Sequence, residues 1–103
     1  MMASWTILPG TVSDNTATAL PNYAPPFVAL KQVLVETEAS GGTASTTSPT
    51  LADIVTSVPS GGLTGTQFYL DPSTQEWQYG SATDSGTVIV LEGWEYGQLS
   101  QVG

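Results

Sequence analysis

The chain contains no cysteine, no histidine and no arginine, and Lys31 is its one basic residue. Without cysteine there is no disulfide framework, no thiolate nucleophile and no thiolate metal site. Without histidine, no serine or threonine has an imidazole to activate it, which removes the usual base of nucleophilic catalysis. Binding nucleic acid by phosphate neutralisation takes several Lys or Arg side chains, and an anionic bilayer surface takes the same, so neither partner is expected. No stretch reaches the roughly 20 apolar residues of a membrane-spanning helix. Met1-Met2-Ala3-Ser4-Trp5 lacks the basic start and apolar run of a signal peptide.

What remains is a small acidic chain of 103 residues with a formal charge of −8, 40% hydrophobic residues and only 10% charged ones. That length is one domain with a modest core, which leaves room for stabilisation by a partner subunit. About a quarter of the residues are Ser or Thr. Together with the Val, Gly and Pro content, this bias favours strands and turns. The expected fold is mainly β: a small sheet or barrel-like domain with an extended N-terminal arm and at most one short helix.

The stretch Gln67–Tyr96 carries the clearest local signals. Phe68-Tyr69-Leu70 is β-prone, Asp71-Pro72-Ser73-Thr74 has the Asp and Pro of a type I turn, and Glu76-Trp77-Gln78-Tyr79 alternates polar with aromatic. A hairpin follows, with Trp77 and Tyr79 on one face. Gly80 ends it. After a polar loop, Thr87-Val88-Ile89-Val90-Leu91 is apolar at both parities and is expected at the centre of the sheet.

Residues 1–26 hold four of the seven prolines, which predicts an extended arm, with residues 27–103 as a single β-rich domain. Trp5, Ile7, Leu8 and Val12 are its apolar anchors. Such an arm either folds back on its own domain or docks on a neighbour. Phe27–Glu38 is dense in valine and reads as a strand paired with 87–91, followed by a loop over 39–50 with Gly41-Gly42 as its hinge. Thr50–Val58 fits a short helix capped by Thr50, or a strand, since Ile54 and Val55 are β-branched. Trp94 and Tyr96 share a face of the last strand, and the residues after it are expected to fray.

The order Leu70-Asp71, Ser73-Thr74, Trp77 to Gly80, Thr83-Asp84-Ser85-Gly86 and Val88 to Leu91 resembles the middle of the lambda-type phage head decoration proteins, over about a quarter of the chain. The resemblance implies a β-rich trimeric cement protein, made in the host cytoplasm and resident on the outer surface of the virion. It would bind the major capsid protein with an N-terminal arm that pairs with the shell. Pro72 in the turn and the residues after Glu92 depart from that pattern. A surface of nine carboxylates repels packed DNA and suits an outward-facing position.

Chemistry finds little support. Asp84-Ser85-Gly86 has the triplet of an aspartic protease, but Ser81-Ala82-Thr83 before it is a loop and not the apolar strand that would bury a carboxylate pair. Glu36 with Glu38, and Glu92 with Glu95, show nothing beyond solvated charges. Asp71–Glu76 lacks the Asp/Asn series and central Gly of a calcium loop, and Gly61–Gly65 has no phosphate-binding lysine. The chain is read as a non-enzyme with no cofactor and no metal. The candidate partner-interface residues are Trp5, Ile7, Leu8, Val12, Trp77, Tyr79, Trp94 and Tyr96. The competing reading is a carbohydrate-binding or host-recognition module, with Trp77, Tyr79, Trp94 and Tyr96 as a platform on which sugar rings stack.

Overall fold

In the computed structural model, residues 2–37 and 49–96 are described. The apolar run at 87–91 opens the inner strand β8 (Thr87–Glu95), on which one sheet is built. On one side lies β3 (Phe27–Thr37), paired antiparallel from Phe27 opposite Glu95 to Thr37 opposite Thr87, the pairing that the two apolar runs predict. The register shifts between Phe27 and Ala29 and again between Leu30 and Gln32. There the backbone of β3 presses against β8, so a Cβ on Gly93 would collide with the carbonyl oxygen of Ala29. On its other side β8 pairs with β1 (Met2–Ile7), and beyond β3 lies the two-residue β4 (Thr50–Leu51).

The second sheet is built on the hairpin of β6 (Gln67–Asp71) and β7 (Glu76–Tyr79), flanked by β2 (Thr18–Ala19) next to β7 and β5 (Asp53–Ile54) next to β6. All pairings are antiparallel except β5 with β6. The hairpin turn closes with the Gln75 N–H donating to the Asp71 carbonyl at 2.7 Å, and Gln75 takes a left-handed conformation with φ 58°. Asp71 supports it: its Oδ1 accepts from the Ser73 N–H at 2.9 Å and the Ser73 hydroxyl at 2.7 Å. These bonds, the hydroxyl first, hold the Asp71 carboxyl below the usual carboxylate range.

Residues 2–26 fold back on the domain, one of the two outcomes expected for the arm. β1 belongs to the first sheet and β2 to the second, so the segment is paired into both sheets. The reason is periodic: Ala3, Trp5 and Ile7 alternate with Ser4 and Thr6, a strand pattern that Pro9 and Gly10 (φ 68°) end without interrupting. Between the strands, the side-chain amide of Asn15 imitates a backbone partner. It accepts from the Leu63 N–H at 2.6 Å and donates to the Leu63 carbonyl at 2.9 Å, from a residue with φ 62°.

The helix option at 50–58 is not taken. The chain crosses here from one sheet to the other: Ala52 donates to the Val33 carbonyl at 2.8 Å, while Asp53 and Val55 donate to Thr66 and Phe68. Glu38, the Gly41-Gly42 hinge and the tail from Gly97 lie outside the described residues.

The inner faces share one core. Phe27, Val33, Ile89 and Leu91 of the first sheet pack with Phe68, Leu70, Trp77 and Tyr79 of the second. The Phe68 and Trp77 rings are stacked, with centroids 5.9 Å apart. Each such side chain, fully buried, stabilises the fold by roughly 1.5–3 kcal/mol relative to leaving it in water.

Candidate functional site

The eight interface candidates separate into three groups. Trp77 is 1% exposed and Tyr79 is 7% exposed, both inside the core, so neither can serve a platform or a surface. Alternation puts them on one face, and β7 lies between two strands with that face inward. Burial also pushes the Tyr79 phenol above its ordinary value.

Trp94 and Tyr96 stay at the surface, near the end of β8. Trp94 stands opposite Met2, while Tyr96 folds toward the hairpin turn: its N–H donates to the Pro26 carbonyl at 2.9 Å and its hydroxyl to the Pro72 carbonyl at 3.2 Å. Tyr96 is thereby tied to the domain's own backbone. Val12 is likewise structural. It exchanges backbone and side-chain bonds with Thr83, whose hydroxyl also donates to the Gly10 carbonyl at 2.6 Å.

Trp5, Ile7 and Leu8 come together with residues that no sequence pattern singled out. β1 and β2 are edge strands of different sheets, and between them runs a groove of about 370 Å³ lined by Trp5, Ile7, Leu8, Leu20, Pro21 and Tyr23, with Trp77 at its base. The Trp5 and Tyr23 rings meet edge to face, with centroids 5.6 Å apart and planes at 66°. Leu8 and Tyr23 are 76% and 77% exposed, the most exposed large hydrophobic side chains among the described residues. The available signal for Tyr23 was an aromatic residue held between Pro21 and the Pro25-Pro26 pair, where the backbone is stiff and extended.

Among the described residues no charged side chain lines this groove. The first 30 residues hold a single one, Asp14, whereas eight of the nine carboxylates follow Lys31. Lys31 itself reaches Glu92 at 4.0 Å with both side chains half in solvent, an ion pair of little energetic weight. The Asp84 loop is a closed turn, its carboxylate accepting from the Gly86 N–H at 2.9 Å and the Thr87 hydroxyl at 3.1 Å. Among the described residues no three acidic side chains gather as a metal site would require.

Compared with known proteins, the chain matches no family model, no curated protein and no solved structure.

Proposed function

We propose that this is a structural protein that works by assembly, a decoration protein bound to the major capsid protein on the outer surface of a phage head, with its uncharged N-terminal side as the assembly surface. One observation carries the reading: in a chain of charge −8, the groove beside the β1 edge is lined, among the described residues, by apolar and hydroxyl side chains and no charged one. A surface of this kind binds by apolar burial and backbone hydrogen bonds, and its affinity changes little with salt. The phage assignment rests on the likeness of residues 70–91 to the decoration proteins. The remaining carboxylates keep the outward surface soluble and mutually repelling.

The test is co-sedimentation with phage heads assembled from a major capsid protein encoded in the same genome as this chain. The protein should pellet with the heads and raise the temperature at which they come apart. Leu8→Asp combined with Tyr23→Ser should lower occupancy at least tenfold while leaving the domain folded. Heads that take up none of the wild-type protein would overturn the reading. A second reading, carbohydrate recognition, is favoured by the Tyr23 ring standing in solvent beside Trp5, a surface on which a sugar could stack. Selective binding on a glycan array, lost with Tyr23→Ser, would establish it.

A further inference from the structure

We infer that the β1 edge pairs with the same edge of a second copy of this chain, antiparallel about a two-fold axis, joining two four-stranded sheets into one of eight strands. This rests on the assembly reading above and gives the β1 edge of that surface to a second copy, leaving Leu8 and Tyr23 beside it for the shell. Among the described residues β1 has a neighbour only on its β8 side, leaving the other edge of this six-residue strand without a main-chain partner there. The other edges are poorer templates. β2, β4 and β5 have two residues each, and β5 carries Asp53.

Open edges are ordinarily protected by a Lys, a Pro or a bulge, and Met2–Ile7 has none of these: Pro9 comes only after the strand, and the β1–β8 register runs unbroken from Met2 to Ile7. A strand that pairs antiparallel with itself is self-complementary, so the contact closes at two copies. Charge selects the same place. Two chains of −8 repel, and an approach through β1 meets no carboxylate on the strand itself, the one beside it on β8 being Glu92 opposite Ser4. Pairing there also brings Trp5 and Ile7 of the two copies onto one continuous face.

The experiment is sedimentation equilibrium of the full chain from about 1 to 100 µM, at low and high salt. The expected species is a dimer of twice the 10.7 kDa chain mass, tightening as salt screens the repulsion between the copies. Ser4→Asp with Thr6→Asp, at two exposed positions of β1, brings carboxylates of the two copies together across the axis, directly opposite or on the diagonal, and should weaken dimerisation at least tenfold. Circular dichroism of the variant, unchanged from wild type, shows that the domain is intact. Hydrogen exchange should protect β1 amides in the wild-type dimer and not in the variant. A monomer at every concentration, a trimer, or a dimer indifferent to the two substitutions would each overturn the inference. None of these bears on whether wild-type protein binds heads, which the co-sedimentation measures separately.

Discussion

Trp77 and Trp5 stand in equivalent local settings with different outcomes. Each alternates with polar neighbours along a strand, and each lies on the inward face of its sheet. Trp77 has Thr18 on one side and Leu70 on the other, and is sealed. Trp5 has Leu91 on one side and, among the described residues, no strand on the other, and stays half-buried against Tyr23. Period-two alternation determines which face a side chain takes, while the number of neighbouring strands determines whether that face becomes core or remains available to another molecule. The hairpin region holds the domain together, and the N-terminal region offers what is left over.

Truncating both residues breaks the comparison if it is mistaken. Trp77→Ala removes a side chain stacked on Phe68 and leaves a cavity between the sheets, at a cost of about 3–5 kcal/mol. Trp5→Ala exposes less new surface and allows the edge to relax, so roughly half that loss is expected. Urea unfolding of both variants checks the ranking. Equal losses would make β1 as much a part of the core as β7 and would leave no reason to treat its edge as an assembly surface.

The two regions meet at Gln75. Its carbonyl accepts from the Leu20 N–H at 2.9 Å, while its side-chain amide accepts from the Phe27 N–H at 2.9 Å and donates to the Phe27 carbonyl at 2.7 Å. In effect the hairpin turn supplies one residue of pairing to the segment that leads from the groove into β3. Gln75→Ala leaves the Phe27 groups without that partner and should cost about 1–3 kcal/mol. Hydrogen exchange should quicken at Leu20–Phe27 more than in β6 and β7. Uniform quickening across both sheets would show that the two regions unfold as one and that Gln75 is no boundary between them.

How much was legible follows the range of the interactions. The hairpin was readable because Asp71-Pro72 and the Glu76–Tyr79 alternation are local, and β8 because its apolar run has no other explanation. The pairing of β1 with β8 joins residue 2 to residue 94, and nothing in either strand names its partner. Proline content suggested an arm, yet the prolines fall between strands and leave Met2–Ile7 free to pair. Thr50–Val58 was ambiguous because its first residues serve two sheets in succession, with Ala52 buried at the crossing. Of the site, Trp5, Ile7 and Leu8 were visible as apolar residues without local companions. Tyr23 became significant only when the fold brought it onto Trp5. The clasp of Asn15 on Leu63 spans 48 residues and left no trace in the sequence around either.

The smallest effect concerns Tyr79, which separates a buried aromatic residue from an exposed one by titration instead of truncation. Removing its phenol from water disfavours the phenolate and raises the folded-state pKa above the ordinary 10.0. In the unfolded chain the phenol ionises at that ordinary value, so the unfolded state loses its proton first as pH rises. The contribution of Tyr79 is therefore fully present below about pH 10 and declines as pH climbs through the folded value. Tyr79→Phe keeps the ring in contact with Phe68 and abolishes this titration. Denaturation midpoints from pH 8 to pH 11 should fall more steeply for the wild type than for the variant. Parallel curves would mean that the hydroxyl remains as well hydrated in the fold as in the open chain, and would move Tyr79 from the sealed region to the accessible one.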